Sequence, residues 1–407
     1  MGSKVMLVGI GKQGKAALWD LIKSDLIDEI VAIDISREAE EYIRALGSNK
    51  VFFVKTDLRN KAEISRSMKD VDLVIDLSPS IFAMELIKLS IENYKHLVNA
   101  SYLIDPSTAL DATEYAKVKE IIKELDKLAK RNNITILPEF GLDPGIDLVL
   151  MGQVIKELDE VHEIYTYGAG LPEPKIAYTN PLKYKITWNF ESVIRAYKRP
   201  ARVIREGNIV VIPPENIFSP ENCHRVEIKD LGVFEAYPNG DIVTYLERFE
   251  LHKIIRSAVR YTLRWPEHCW FWKKLVDLRF LDEKPIKVGD VLISPKDFLI
   301  ALLEPQLQLK ENERDMAIVR VEAKGIKSSK SMYIIYQLID YKDLATGFTA
   351  MQRTTGFTVS IGAQMILRGD IKKRGIIFPE KDVPYEIFKK ELMKRGIEIK
   401  HFVENID

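Results

Sequence analysis

Lys4-Val-Met-Leu-Val-Gly9-Ile-Gly11-Lys-Gln-Gly14 begins with an apolar run, Val5 to Val8, passes through three glycines, and continues into Ala16, Ala17, Leu18, Leu21 and Ile22 at helical spacing. Strand, glycine turn and helix in that order describe a pocket for a dinucleotide. Gly9, Gly11 and Gly14 let the backbone approach a pyrophosphate, whose charge meets the unpaired N–H groups and the positive dipole end of the helix. Lys12 and Gln13 lie inside the turn and join the glycines as expected cofactor contacts. A second strand-like run, Ile30 to Ile33, ends in Asp34, twenty residues after Gly14. A carboxylate there can accept hydrogen bonds from the adenosine ribose and would repel a 2′-phosphate. The sequence therefore predicts NAD as the preferred cofactor, with NADP possible because Arg37 follows close by.

Outward from this motif the pattern repeats. Helix-like segments at Arg37 to Leu46, Lys61 to Met68, the stretch after Ser80, and Asp111 to Arg131 alternate with strand-like segments at Val51 to Val54, Asp72 to Leu77, His96 to Asn99 and Ile134 to Leu137. Such βα alternation predicts an α/β fold: an N-terminal Rossmann domain over residues 1–140, with a doubly wound parallel sheet of six strands. Beyond Gly145 the texture changes. Asn208 to Ile212, Asp241 to Leu246, Met316 to Glu322 and Met332 to Tyr341 read as strands, and Lys324 to Ser331 as the hairpin loop between the last two. Helices are expected at Ile146 to Glu157, Pro295 to Leu303 and Val359 to Leu367. The second domain, residues 141–375, thus reads as α+β on a mixed or antiparallel sheet. Residues 376–407 read as a C-terminal helical segment, with Tyr385 to Gly396 as a helix packing back on the first domain.

Sixty basic residues balance sixty acidic ones, so nothing in the charge points to nucleic acid or to an anionic membrane surface. No apolar run reaches the length of a membrane span. The two cysteines, Cys223 and Cys269, make no disulfide framework. A reduced, cytoplasmic protein with a small-molecule partner is expected. His268-Cys269 and Cys223-His224 lack a second ligand pair at zinc-like spacing, so no metal site is expected. Trp265, Trp270, Phe271 and Trp272 instead suggest a packed or subunit-lining surface, in keeping with a homodimer or higher homo-oligomer.

Ligands of an open parallel sheet bind beyond the carboxyl ends of its strands. The loops to examine are therefore Thr56-Asp57, expected near the adenine, Ser78-Pro79 near the nicotinamide ribose, and Ala100-Ser101-Tyr102, where cofactor and substrate would meet. Glu139-Phe-Gly-Leu-Asp143-Pro-Gly145-Ile-Asp147 follows the sixth strand. Pro144 keeps Asp143 out of the helical region, and Asp143 can cap the next helix. It can equally bind the ammonium of an amino-acid substrate or move its proton.

That last run resembles the saccharopine dehydrogenase family, and so do Gly170-Leu-Pro-Glu-Pro174, Asn180-Pro-Leu-Lys-Tyr-Lys-Ile-Thr-Trp188, Glu235-Ala-Tyr-Pro-Asn239-Gly-Asp241 and Tyr261-Thr-Leu-Arg-Trp265. The resemblance implies an NAD(P)-dependent oxidoreductase acting on a carbon–nitrogen bond, either a saccharopine dehydrogenase or a lysine 6-dehydrogenase that releases ammonia. A nucleotide-binding regulatory protein without catalysis is the third reading, since fold does not fix function. Glu191 to Gly207 is nearer the lysine enzymes, and Gly141 to Asp147 nearer the saccharopine enzymes. By position, the resemblance assigns cofactor contacts to Gly11 through Gly14, Asp34, Asp57, Leu58, Ala100 and Ser101. It assigns substrate contacts to Ser101, Tyr102, Asp143, Trp188, Asn239 and Asp241, with Asp143 and Tyr102 as catalytic residues. Gly240 stands where the saccharopine enzymes are expected to carry an arginine, which leaves the job of clamping a substrate carboxylate to Arg195, Arg199, Arg202 or Arg353.

Overall fold

The protein is described by a computed structural model covering residues 2–406, and the chain divides into two compact units. The first comprises the opening 105 residues together with Thr113–Gln153 and Gln352–Ile399. Its sheet holds β1 (Ser3–Val8), β2 (Ile27–Asp34), β3 (Val51–Lys55), β4 (Leu73–Asp76), β5 (His96–Asn99) and β6 (Thr135–Leu137). A seventh strand, Gly375–Ile376, joins the edge beside β6, and the order from that edge is β6, β5, β4, β1, β2, β3. Every pairing is parallel. The expected doubly wound sheet is present with one strand more than the six read from sequence. Two residues are too few to show a period of their own, so only pairing with β6 makes Gly375–Ile376 a strand.

Val5, Met6, Leu7 and Val8 are fully buried because helices cover both faces of the sheet, which is why the run is apolar without alternation. In register, Val8 lies between Ile33 and Asp76, and Asp76 lies beside Asn99. The carboxyl ends of β1, β2, β4 and β5 therefore line up along one edge, and the strand order reverses between β1 and β4, where such folds bind ligands. Helix Lys12–Ile22 is held to the C-terminal helices of the same unit by one buried carboxylate. Asp20 accepts from Arg395 Nε and Nη2 at 2.8 Å each, from Ser360 Oγ at 2.6 Å and from Gln364 Nε2 at 3.2 Å. Phe388, on helix Tyr385–Lys394, packs on Phe140 with ring centroids 5.3 Å apart.

The second unit takes Pro106–Ala112, Val154–Met351 and the last residues from Lys400. It is built on a ten-stranded mixed sheet. Its strands include β7 (Glu160–Pro172), β8 (Ala201–Arg205), β9 (Asn208–Ile212), β10 (His224–Ile228), β11 (Gly232–Pro238), β12 (Gly240–Asp241), β13 (Ser257–Arg264), β14 (Ile286–Val288), β15 (Val291–Ile293), β16 (Asp315–Lys327) and β17 (Lys330–Tyr341), with β14 and β15 forming a separate hairpin. The β13–β7 pairing is parallel, whereas β16 runs antiparallel to both β7 and β17.

Three local readings change. Lys324 to Lys327 continue β16, and the turn is only Ser328-Ser329, both at positive φ, as a tight two-residue hairpin requires. Asp241 to Leu246 is not a strand: after β12 the chain forms helix Val243–Glu247, because Asp241 Oδ1 accepts the N–H groups of Val243 and Thr244. The closing segment is not all helix, since Ile399–Asn405 forms a strand beside β17. Trp265 and Trp272 are buried in the core of this unit, while Trp270 is exposed. Among the described residues no helix is long and apolar enough to cross a membrane, and no group of acidic, histidine or cysteine side chains is placed to hold a metal.

Candidate active site

Gly9 leaves β1 at φ +86°, and Gly11 caps helix Lys12–Ile22 with no side-chain hydrogen bond of its own. A Cβ on Gly14 would stand 1.9 Å from the Gly9 carbonyl oxygen, so only glycine allows the turn to close. A Cβ on Gly11 would meet nothing within 4 Å. The turn is packed where the helix meets the strand and open where a pyrophosphate would approach, which is how the three glycines divide their work in a dinucleotide pocket. Lys12 and Gln13 form the first helical turn. The residues present fit the group.

Asp34 ends β2 with both carboxylate oxygens engaged: Oδ2 accepts from Ile10 N and Oδ1 from Ser36 N, each at 2.7 Å. The acid thus braces the glycine turn from the neighbouring strand. Ser36 in turn caps helix Arg37–Leu46 by accepting from Ala39 N at 3.1 Å. Beyond β3, Asp57 accepts from Arg59 N, Nε and Nη2, and the Arg59 side chain holds its carboxyl below the usual carboxylate range. Leu58 packs against the core of the unit.

At the next two strand ends, Ser78 donates its N–H and its hydroxyl to Asp76 Oδ1 at 2.9 and 2.6 Å. Ser101 N–H donates to Asn99 Oδ1 at 3.2 Å, and the Ser101 carbonyl accepts from Glu139 N at 3.2 Å. The 139–147 loop is bound to the end of β5 by that contact and by Phe140 N to Asn99 O at 2.8 Å. Ala100 Cβ lies so close to Gly141 that an added Cβ there would approach it to 2.9 Å. Glu139, at positive φ and buried, accepts from Leu103 N at 3.3 Å, just beyond the half-buried Tyr102. The Asp143–Pro144 peptide is cis, Gly141 N–H donates to Pro144 O at 2.8 Å, and Asp147 accepts from Gly145 N at 2.8 Å. A Cβ on Gly145, whose φ is +145°, would fall 2.1 Å from Gly141 O. The Gly-Leu-Asp-Pro-Gly run is therefore a closed backbone knot with the Asp143 side chain half-buried at its turn. In this unit the structure brings together Gly9, Gly11, Gly14, Asp34, Ser78, Ala100, Ser101, Tyr102 and Asp143 at or just beyond one sheet edge.

Trp188, Asn239 and Asp241 belong to the second unit. Trp188 packs partly buried against that unit's core. Asn239 donates from Nδ2 to Thr262 Oγ1 at 2.9 Å. Asp241 is buried and fully engaged: besides the two helical N–H groups it takes Arg202 Nε at 3.0 Å, Arg202 Nη2 at 2.8 Å and Thr244 Oγ1 at 2.6 Å. Its lone pairs are spent on Arg202 and the helix start, so any part it plays in recognition runs through Arg202. Of the other arginines weighed as carboxylate clamps, Arg195 pairs with Glu191 on the surface, Arg199 is half-buried, and Arg353 belongs to the first unit, where it donates to Arg395 O at 3.0 Å.

Sequence reasoning did not single out Arg264. It is buried in an aromatic cage, 5.7 Å from the Tyr184 ring and 6.0 Å from that of Tyr237, and its Nε finds no hydrogen-bond partner among the described residues. Tyr197 and His268 Nε2 meet at 3.0 Å beside it, and burial, helped by the Arg264 charge, pushes His268 well below the ordinary histidine range. The segment Tyr261 to Trp265 carried the only available signal. Asp76 and Asn99 were missed too, hidden as the polar last residues of two apolar strands.

A family model described as the saccharopine dehydrogenase C-terminal domain matches residues 141–397. The chain belongs to the saccharopine dehydrogenase family. The model of that family's NADP binding domain matches residues 5–137. The L-glutamate-forming, NADP(+) saccharopine dehydrogenase of Saccharomyces cerevisiae is 26% identical over 98% of this chain and 99% of its own length. The enzyme of the same name from Pyricularia oryzae is 28% identical over 86% of this chain and 88% of its own. Among solved structures, the apo L-Glu-forming saccharopine dehydrogenase of S. cerevisiae superposes with a TM-score of 0.81 at 24% identity, covering 99% of this chain and 100% of that one. Homospermidine synthase from Legionella pneumophila, solved with NAD, follows at 0.61 and 13%, over 99% and 92%. Both likenesses bear on the fold. The expected preference for NAD is not supported: the domain model and the relatives' names carry NADP. The family's nucleotide domain thus carries an acid, Asp34, at the end of β2 in this member.

Proposed function

We propose that this chain is a nicotinamide-dinucleotide-dependent oxidoreductase of saccharopine, interconverting it with L-glutamate and 2-aminoadipate semialdehyde. The observation that carries the reading is the end-to-end relation to the yeast L-glutamate-forming enzyme. NADP ranks first as cofactor on the names of the relatives, while Asp34 favours acceptance of NAD through its repulsion of a 2′-phosphate.

In this reading Gly9 and Gly11 through Gly14, with Lys12 and Gln13, hold the pyrophosphate. Asp34, Asp57 and Leu58 flank the adenosine half, and Ser78, Ala100 and Ser101 the nicotinamide half. The bound nicotinamide supplies the hydride acceptor or donor. Oxidation of a carbon–nitrogen bond needs the nitrogen lone pair, so the secondary ammonium must first lose its proton, and Asp143 is the group that takes it; water then adds to the carbon of the resulting imine, and the carbon–nitrogen bond breaks to release L-glutamate and the semialdehyde. The hydroxyls of Ser101 and Tyr102 orient the substrate. Trp188 and Asn239 contribute to recognition in the second unit, and Asp241 does so by fixing Arg202. A homodimer or larger homo-oligomer completes the proposal.

Purified protein incubated with saccharopine and either NADP or NAD tests it. Nicotinamide reduction matched mole for mole by L-glutamate is the expected result. Ammonia released from L-lysine, with saccharopine inert, would replace this reading by a lysine 6-dehydrogenase, which the glycine at position 240 favours. Nucleotide binding with turnover of neither would leave a regulatory binding protein.

A further inference from the structure

Asp76 and Asn99 are the last residues of β4 and β5, lie side by side in register, and are each about 1% exposed. Asp76 Oδ1 takes both donors of Ser78, and Asp76 Oδ2 faces Asn99 Nδ2 at 3.5 Å. Asn99 passes the contact on, because its Oδ1 accepts the Ser101 N–H at 3.2 Å. We propose that Asp76 is a positioning residue for the nicotinamide end of the cofactor site, holding the Ser78 and Ser101 loops together through the fixed polarity of the Asn99 amide. The proposal rests on the reading of Ser78 and Ser101 as cofactor contacts.

The polarity argument is chemical. An ionised carboxylate only accepts, so it draws the NH2 end of the Asn99 amide toward itself and turns the oxygen toward Ser101. Any change that makes position 76 a donor on that side turns the amide round, and Ser101 N–H then faces an NH2 group. Two loops of the sheet edge would lose their common anchor. The 139–147 loop, tied to the Asn99 and Ser101 carbonyls, would feel the same displacement.

The relay needs Asp76 ionised. Of the elements packed against it, β1 presents Val8 and β5 presents Asn99. The buried part of helix Thr358–Arg368, Thr358 to Ile366, carries no charge, and its terminal Arg368 pairs with Asp370 and Glu391. On helix Ala83–Glu92 the charged residues are Glu85, paired with Lys61, Lys88 and Glu92, all short of burial. With only Ser78 and Asn99 favouring the anion, burial pushes the Asp76 carboxyl up to about 6. Below that pH the acceptor on one side becomes a donor and the relay breaks.

The test measures binding of reduced NADP by nucleotide fluorescence and the kcat and KM for nucleotide, from pH 5 to 8, in the full chain and two variants. Asp76→Asn should raise the nucleotide KM and Kd about tenfold, the scale of one charge-assisted hydrogen bond, with kcat less affected and the weakening of binding below about pH 6 abolished. The exchange variant Asp76→Asn/Asn99→Asp re-creates an amide donor facing a carboxylate, with the carboxylate now accepting from Ser101 N–H, and should recover nucleotide affinity to within about threefold of the parent. Unchanged nucleotide binding in a folded Asp76→Asn, or an exchange variant no better than the single one, overturns the proposal. If Asp76→Asn does not fold, parent binding that stays flat between pH 5 and 7 overturns it alone. A parent that binds no nucleotide refutes the cofactor reading itself, a different failure from a parent that binds and a variant that binds equally well.

Discussion

Replacing Asp241 by asparagine should destabilise the second unit through Arg202 rather than through the lost helix cap. The cap uses Oδ1, which asparagine retains for Val243 N and Thr244 N, whereas the Nη2 contact at 2.8 Å would meet an NH2 group instead of an oxygen. The side chains of Arg202 and Asp241 are 12% and 8% exposed, so the guanidinium has little water around it once its contact with the Asp241 carboxylate is weakened, and Glu247 Oε1 lies 4.0 Å away. Breaking a buried pair by removing one partner costs about 3–5 kcal/mol. The partial access to water and Glu247 place this case at the low end, roughly 3 kcal/mol. At about 2–4 °C per kcal/mol for a unit of this size, the transition should fall by about 6–12 °C. Urea unfolding followed by tryptophan fluorescence, with Trp265 and Trp272 as buried reporters, gives the number. The double variant Arg202→Met/Asp241→Asn should recover most of the loss, because the buried guanidinium that faced the carboxylate is gone with it. A loss below about 1 kcal/mol, or single effects that simply add, would refute the reasoning. Kinetically, both single variants should raise KM for saccharopine and leave KM for the nucleotide unchanged.

Gly14→Ala puts a Cβ 1.9 Å from the Gly9 carbonyl, which only backbone displacement relieves; nucleotide affinity should fall at least about 100-fold, measured by equilibrium titration. Asp143→Asn should lower kcat by roughly 10²–10⁴-fold while nucleotide binding stays normal, and wild-type turnover in that variant would remove Asp143 from the proton step. Burial raises the Asp315 carboxyl to about 6, so the folded chain binds its proton more readily than the unfolded chain does. The sign follows: as pH falls from about 6 to about 4 this group adds stability, on the order of 3 kcal/mol, and the gain is lost as pH rises back through that window. Asp315→Asn should flatten that part of the stability profile, and an unchanged slope would count against the assignment.

The nucleotide domain was legible because its determinants are local. A buried parallel strand needs an unbroken apolar run, a turn that must admit a phosphate needs glycine, and a ribose-facing acid must fall a fixed distance further on; each leaves its mark within about thirty residues. The Gly141 to Asp147 run was legible from its place after the sixth strand, from the restriction that Pro144 puts on Asp143, and from its family resemblance, while the structure adds that a Cβ on Gly145 would fall 2.1 Å from the Gly141 oxygen. What sequence could not supply is which polar atom faces which. Asp34 reads as a ribose ligand, and only the packing of β1 beside β2 makes it also the brace of Ile10. Asp241 reads as an available carboxylate, and only the return of β12 alongside β8 spends it on Arg202. Asp76 and Asn99 stand 23 residues apart in the chain, and parallel register alone makes them neighbours. Periodicity and spacing report what one segment buries, whereas hydrogen-bond partners drawn from distant segments are chosen when the sheet assembles. The family and the fold were therefore written in the chain, and the division of labour among its carboxylates was settled by tertiary structure.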